Sequence, residues 1–348
     1  MRCQDVYPAL LQKAFKMRVI DIHTHGIGGY DTRSGKEKDI LKIAEIFGYQ
    51  GVSEIIPTIY PSSIKVMREN MMVVKKAMER QRDISNLSLP INNPPLPPFS
   101  KGGLGGFDKG GRVKAPESGF RKSKDSELRT ENSELSKIIG VHLEGPFLNP
   151  SKCGALNAMT FIEATEYNFK KLIEGFEDIV KIITIAPEIK GAIKLIKKIS
   201  DMGIIVSMGH SDATFSKSEA GFNAGARGIT HIFNAMRGFH HRDPGIAGFG
   251  LINKDIYIEV IADPFHLYPK TLELIFRIKS PEKIIIVSDS VKETKVKGRV
   301  KAVTDTKGKL LGGSMTIIES SRRLIQMGFD EDMIMRCITT NPQRYLSI

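Results

Sequence analysis

The sequence contains no tryptophan and only three cysteines, Cys3, Cys153 and Cys337. The cysteines are odd in number and form no CxxC pair, which argues against a disulfide scaffold and against a thiolate zinc site. A run of about 18 apolar residues is also missing, so the sequence predicts no membrane-spanning helix. The N-terminal segment has no long apolar core of the kind found in secretory signal peptides, and we therefore expect a cytoplasmic protein.

Acidic residues are outnumbered by basic ones, which gives a formal net charge of +12. A basic excess favours an anionic partner, such as a nucleic acid or an anionic small molecule. Here the basic residues are spread along the chain and are not interleaved with aromatic residues. We therefore expect no nucleic-acid partner. A basic binding protein remains an alternative that salt-dependent nucleic-acid binding would support.

One segment lacks apolar periodicity altogether. Residues 88–124 are dense in proline, glycine and lysine, and the residues up to 137 are mostly polar. Such a composition buries too little apolar surface to offset the entropy lost on ordering. We interpret residues 84–137 as a low-complexity insertion that is disordered within a surface loop; a functional lid is the alternative.

The rest of the chain alternates between short β-branched runs and amphipathic helical stretches. Several runs are continuously apolar, as strands buried on both faces are. Eight strands alternating with helices predict a (β/α)8 TIM barrel over residues 18–346, with an open doubly wound sheet as the alternative. The GIGG after His25 is not a GxGxxG dinucleotide loop. The eight runs cover residues 18–22, 52–58, 138–142, 179–185, 203–209, 228–233, 256–262 and 283–288.

Imidazoles and carboxylates fall at the ends of these runs. In a barrel the carboxyl ends of the strands converge on one face, where active sites lie. These residue types form a ligand set that suits divalent transition metals. If the first strand continues through the HxH pair, both of its histidines point to the same side. The strand-end residues are His23, His25, Glu144, His210, His231 and Asp289.

Each of these residues also has an ordinary structural interpretation. A histidine at a strand end is more often a hydrogen-bonded core residue than a ligand. Glu144 could be an ion-pair partner and Asp289 a helix cap. The metal hypothesis rests on the joint pattern, because four of the eight histidines fall at matching strand ends. We interpret His142 as a structural residue or one that supports a ligand.

The blocks HLEGPFLNP, GHSDAT, THIFNAM, RDPGIAG and VSDS resemble the signature motifs of N-acetylglucosamine-6-phosphate deacetylases, which are metal-dependent amidohydrolases. GKLLGGSM and TTNPQRYL resemble later parts of the same family. This resemblance implies that Glu144, His210 and His231 hold the first metal, and that His23 and His25 serve a second. It implies that Asp289 is the catalytic acid and base. It implies that substrate is bound by Ala155, Asn234, Ala235, Arg242, His266, Leu310, Leu311 and Gly312, with Arg242 on the phosphate.

The activity implied by the resemblance is hydrolysis of the N-acetyl amide of N-acetylglucosamine 6-phosphate to glucosamine 6-phosphate and acetate, in amino sugar metabolism. The cofactor would be one or two divalent ions, zinc or iron. The partner would be a phosphorylated amino sugar, and the assembly a homodimer.

The sequence departs from the family pattern in two substrate-contacting motifs. GALNA has Leu156 where the family has a histidine, and ADPFH has Pro264 where it has a glycine. These changes leave two alternatives open, an amidohydrolase for a different N-acyl or cyclic amide and a truncated inactive member. The family also carries a small β-sandwich built from both termini, and we expect that this domain is missing here.

Overall fold

The computed structural model describes residues 6–87, 135–296 and 298–348. Eight parallel strands are paired there in sequential order, and each overlaps one of the eight runs predicted from the sequence. The strands are β1 (Ile20–Thr24), β2 (Glu54–Ile59), β3 (Val141–Glu144), β4 (Val180–Ile185), β5 (Ile205–Met208), β6 (Gly228–Ile229), β7 (Tyr257–Ile261) and β8 (Ile284–Val287).

Amphipathic helices connect and flank these strands. Several begin at side-chain caps; Thr316, for example, forms a reciprocal capping box with Glu319. The helices are α1 (Val6–Phe15), α2 (Glu37–Tyr49), α3 (Ile64–Leu87), α4 (Glu166–Ile173), α5 (Ala192–Asp201), α6 (Phe215–Asn223), α7 (Gly245–Ile252), α8 (Pro269–Ile278), α9 (Ile317–Gln326), α10 (Glu331–Ile338) and α11 (Thr340–Leu346).

The barrel closes between β1 and the residues that follow β8. Thr24 and Ser290 form a parallel bridge. The Asp289 N–H donates to the His23 carbonyl at 2.9 Å, and the His25 N–H donates to the Ser290 carbonyl at 2.7 Å. Sequential order and closure confirm the (β/α)8 barrel and exclude the open sheet.

The barrel interior is divided into an apolar layer and a polar layer. Six of the eight strands contribute to one buried apolar cluster, and Tyr345 of α11 joins it. The polar layer is built on His142, whose Nε2 lies 2.8 Å from Thr184 Oγ1. Thr184 continues the chain to Thr230, which donates to Ser207 at 2.7 Å. His142 Nδ1 lies 3.3 Å from the Ile22 carbonyl oxygen, so both ring nitrogens of His142 contact protein atoms.

Two short hairpins accompany the barrel. One pairs Gly26–Ile27 with Tyr30–Asp31, and the other pairs Val303–Thr304 with Leu310–Gly312. No β-sandwich is formed by the residues that the structure describes. None of the described helices has the length and apolar character needed to cross a membrane.

The predicted insertion at 84–137 lies largely outside the described residues. Its first four residues, 84–87, are the last turn of α3. At its other end, Lys137 begins a two-residue strand that pairs in parallel with β2.

Candidate metal centre

Three of the predicted ligands meet at the carboxyl end of the barrel. Glu144 ends β3, His210 follows β5 and His231 follows β6. The Nε2 atoms of His210 and His231 each lie 3.1 Å from Glu144 Oε1, and they lie 3.1 Å from each other. Ligand atoms about 2.0–2.1 Å from a tetrahedral zinc ion are about 3.3–3.4 Å apart, so this triangle has the size of one face of such a site.

The tautomer of His210 is fixed by its second nitrogen. His210 Nδ1 lies 3.0 Å from the Lys152 carbonyl oxygen, which only accepts, so Nδ1 carries the proton. Its Nε2 therefore presents a lone pair to the triangle. A buried lone pair facing a carboxylate oxygen is unfavourable without a cation between them. The donor set thus fits a divalent cation.

A second group of ligand atoms lies against the first. His23, His25 and Asp289 each offer one ligand atom within 4.8 Å of the others. Their distances are 3.4 Å from His23 Nε2 to Asp289 Oδ1 and 3.6 Å from His25 Nε2 to the same oxygen. His25 Nε2 also lies 3.2 Å from Glu144 Oε2. Glu144 therefore stands between the two groups. Its Oε1 lies near His210 and His231 and also 3.5 Å from His23 Nε2, while its Oε2 faces His25.

The register of β1 brings His23 into the centre. Pairing between β1 and β2 shifts between Asp21 and Thr24, as a β-bulge does. Because of this irregularity Ile22 packs in the inner apolar cluster while its neighbour His23 contacts the interior carboxylates. The HxH pair thus reaches the site through a bulge, rather than through the regular alternation expected from the sequence.

Sequence reasoning missed Glu259, which lies in the middle of β7. Its Oε2 is 2.9 Å from His23 Nδ1, and its side chain is 2% exposed. The carboxylate accepts the Nδ1 proton, so His23 Nε2 is left as the ligand atom. The sequence does contain a sign of this role, because Glu259 is a charged residue inside the apolar run IYIEVIA. Its partner, His23, is 236 positions away, so no local pattern connects the two residues.

Sequence reasoning also missed the ring that covers His25. Tyr60 follows β2 and stacks on the His25 imidazole with ring centroids 3.8 Å apart. The central carbon of the Arg33 guanidinium lies 4.1 Å from the centroid of the Tyr60 ring. Both carboxylate oxygens of Asp31 accept hydrogen bonds from that guanidinium. Stacking of this kind holds an imidazole plane in one orientation.

The electrostatics of the site depend on burial and on charge pairing. Burial alone would raise the pKa of Glu144, but the imidazoles of His210, His23 and His231 outweigh burial and hold that pKa well below its usual value. Burial would lower the pKa of His23, yet Asp289, Glu144 and Glu259 raise it well above its usual value. The carboxylates thus favour a positive charge at this point, which a proton or a metal ion can supply.

Backbone strain is concentrated at the same place. Of the six non-glycine residues with positive φ in the described chain, five lie at or beside the site. Such conformations cost on the order of 1–3 kcal/mol each, and they are typical of functional sites. The five residues, with their φ angles, are His210 (47°), His231 (29°), Phe233 (73°), Ala235 (49°) and Asp289 (45°).

A cavity of about 240 Å³ opens above the ligand atoms. Seven of the eight predicted substrate residues line it, and the exception is Arg242. Arg242 lies in an exposed loop between His240 and Asp243, outside the lining of this chain's cavity. The lining residues are His25, Tyr60, Glu144, Gly154, Ala155, Leu156, His210, His231, Asn234, Ala235, His266, Asp289, Lys309, Leu310, Leu311 and Gly312.

His266 is held at the cavity wall by Asp263. The Asp263 carboxylate accepts from His266 Nδ1 at 2.9 Å and from the Ser314 hydroxyl and N–H at 2.8 and 2.9 Å. Burial would raise the pKa of Asp263, but these donors lower it below its usual value. Asp263 therefore stays ionised, and it fixes the imidazole so that Nε2 is the free nitrogen.

Comparisons with known proteins agree with this picture. No family model matches the chain. It is 34% identical over 210 residues to the N-acetylglucosamine-6-phosphate deacetylase of Bacillus subtilis, covering 56% of this chain and 52% of that protein. It is 28% identical over 228 residues to the N-acetylgalactosamine-6-phosphate deacetylase of Escherichia coli O157:H7, covering 61% and 60%. The chain thus spans about half the length of the first of these relatives.

The fold is shared with a solved deacetylase. The N-acetyl-D-glucosamine-6-phosphate deacetylase of Mycobacterium smegmatis, solved in complex with N-acetyl-D-glucosamine-6-phosphate, matches with a TM-score of 0.73 and 20% identity. The match covers 95% of this chain and 77% of that one. The comparisons confirm the resemblance to N-acetylglucosamine-6-phosphate deacetylases that the motifs predict, and they confirm the barrel.

Proposed function

We propose that this chain hydrolyses the N-acetyl amide of N-acetylglucosamine 6-phosphate to glucosamine 6-phosphate and acetate. The observation that supports it most is the convergence of four imidazoles and two carboxylates beside one cavity at the carboxyl end of the barrel. The names of the relatives point to the same substrate class. We place the reaction in amino sugar metabolism in the cytoplasm, and we propose a homodimer.

The cofactor we propose is one or two divalent ions, zinc or iron. Glu144, His210 and His231 would hold the first ion, and His23 and His25 would serve a second. An ion bound there supplies Lewis acidity toward the acetyl oxygen and lowers the pKa of a coordinated water from 15.7 toward about 7.

Asp289 is the proposed acid and base. Two hydrogen bonds fix its backbone. The Asp289 N–H donates to the backbone carbonyl of His23, and the Asp289 carbonyl accepts from the Gly313 N–H at 2.7 Å. The carboxylate takes a proton from the attacking water as the carbon–oxygen bond forms. It then gives that proton to the amine nitrogen as the carbon–nitrogen bond breaks. The products are the free amine and acetic acid, which releases its remaining proton to water and becomes acetate. Transfer of this kind contributes typically 10²–10⁴-fold to a rate.

The remaining residues would position the substrate. His266 presents Nε2 to the cavity, where its lone pair can accept a hydrogen bond from a sugar hydroxyl. The other proposed contacts line the cavity wall, apart from Arg242, which we assigned to the phosphate from the resemblance. They are Ala155, Asn234, Ala235, Leu310, Leu311 and Gly312.

A second candidate is an amidohydrolase for a different N-acyl or cyclic amide. It is favoured by Leu156, which lines the cavity where the family has a substrate-contacting histidine. An apolar side chain removes a hydrogen-bond partner for a sugar hydroxyl at that point, and a site built to pair a hydroxyl discriminates more sharply than an apolar wall.

Acetate release from a panel of amides tests both candidates. The panel contains N-acetylglucosamine 6-phosphate, N-acetylgalactosamine 6-phosphate, unphosphorylated N-acetylglucosamine and a cyclic amide, with the Asp289→Asn variant as the inactive control. We expect the highest kcat/KM for N-acetylglucosamine 6-phosphate. A clear preference for another amide would replace this substrate, and no turnover of any of them by metal-loaded protein would refute the proposal.

A further inference from the structure

The wall of the cavity carries one cationic side chain. Among the described residues that line it, Lys309 is the only lysine or arginine. The same wall carries the carboxylates of Glu144 and Asp289 at the ligand end. Lys309 forms no ion pair with any carboxylate in the described part of the chain, so its ammonium group is available to a ligand.

The backbone of Lys309 is fixed relative to the metal centre. In the turn of the hairpin, Asp305 Oδ1 accepts from the Lys309 N–H at 2.9 Å, and the Asp305 N–H donates to the Lys309 carbonyl at 2.9 Å. The hairpin continues to Gly312, and the next residue, Gly313, donates to the Asp289 carbonyl at 2.7 Å. The flexible lysine side chain therefore starts from an anchored position at the rim.

The geometry of the proposed substrate separates its two functional ends. The acetamido group must lie at the ligand atoms, so the phosphate on carbon 6 lies across the sugar ring, toward the rim. A phosphate monoester carries about −1.5 to −2 charges at pH 7, and it is repelled by Glu144 and Asp289 and attracted by an ammonium group. Arg242, the cation that the resemblance assigns to the phosphate, lies outside this cavity lining.

We propose that Lys309 binds the phosphate of the substrate and makes the site selective for phosphorylated amides. This proposal rests on the proposed function. A hydrogen bond to a charged group contributes most when it is shielded from water, and exposure reduces its contribution. For a side chain at the solvent-exposed rim we expect a modest effect, about tenfold in KM.

The test compares wild-type protein with Lys309→Gln, the rescue variant Lys309→Arg, and Lys307→Gln as the matched control. Lys307 is an exposed lysine on the same turn, and it does not line the cavity. KM and kcat are measured for N-acetylglucosamine 6-phosphate and for N-acetylglucosamine. We expect Lys309→Gln to raise KM about tenfold for the phosphorylated amide alone, with kcat little changed. Lys309→Arg should restore the wild-type KM, and Lys307→Gln should match wild type.

Failure of this proposal differs from failure of the proposed function. Acetate release with the same KM in Lys309→Gln and wild type would overturn the role of Lys309 and leave the activity intact. A KM increase in Arg242→Gln, with none in Lys309→Gln, would assign the phosphate to Arg242. If no variant releases acetate, calorimetric binding of glucosamine 6-phosphate against glucosamine decides. Wild type should then bind the phosphorylated sugar more tightly, and Lys309→Gln should lose that difference; equal binding of both sugars by wild type would overturn the proposal.

Discussion

Removal of a divalent cation from the proposed metal site should lower the melting temperature of this protein by about 6 °C. The structure explains why a cation at this site would stabilise the fold. The Nε2 atoms of His210 and His231 and the Oε1 atom of Glu144 lie 3.1 Å from one another, and they are buried. Without a cation these groups either repel one another or must take up protons, whereas in the unfolded chain they are solvated by water.

The size of the shift follows from linkage. A ligand at 1,000 times its Kd stabilises the folded state by about 4.1 kcal/mol. Unfolding entropy is about 2.1 cal/mol/K per residue, so for 348 residues it is about 0.7 kcal/mol/K, and the ratio of the two is about 6 °C.

Differential scanning calorimetry with and without a strong chelator measures the shift. His210→Asn should melt at the same temperature with and without the chelator, because one side of the triangle is lost. His240→Asn is the matched control, since His240 lies in an exposed loop, and it should retain the full shift. A chelator effect that is absent from wild type, or equal in wild type and His210→Asn, would refute this account of the site.

Three further predictions concern other groups. Asp289→Asn should keep the metal but lower kcat by about 10²–10⁴-fold in the acetate assay, and unchanged turnover would remove Asp289 from the mechanism. Glu259→Leu should weaken metal binding by about 10–100-fold in a competition titration, because His23 Nδ1 loses its acceptor, and unchanged affinity would show that the contact does not orient the ligand. Lys279 is buried with its ammonium group on the carbonyls of Gly250 and Asn253, and burial lowers its pKa to about 7. The unfolded chain holds that proton up to about 10.5, so it binds more protons than the folded chain between pH 7 and 10.5, and stability rises with pH. In urea unfolding, the gain between pH 7 and 9 should be larger in wild type than in Lys279→Met by up to about 2 kcal/mol, and equal gains would contradict the shifted pKa.

The fold was largely predictable because hydrophobic periodicity is a local signal. Buried parallel strands must be apolar on both faces, so runs such as IVKIITI and KIIIVS identify β4 and β8 directly. The strand ends then place His210, His231 and Asp289 at one face of the barrel. Local pattern and barrel geometry together suffice for that much of the site.

The contacts that were missed depend on register and on distant partners. No local pattern reveals the bulge between Asp21 and Thr24, which brings His23 inward. Glu259 and Tyr60 carry no motif, and each meets its histidine only after the barrel has closed. For Arg242 the situation is reversed. A local motif identifies this residue as a substrate contact, but only the fold determines whether it lines the cavity, and it does not.

Elemental analysis of protein that has been shown to release acetate tests the central claim most directly. We expect one or two equivalents of zinc or iron per chain, with both metal and activity lost after chelation and restored together on adding the ion back. Full activity in protein that holds less than a tenth of an equivalent of any divalent metal would contradict the claim that these side chains converge to bind a catalytic cation.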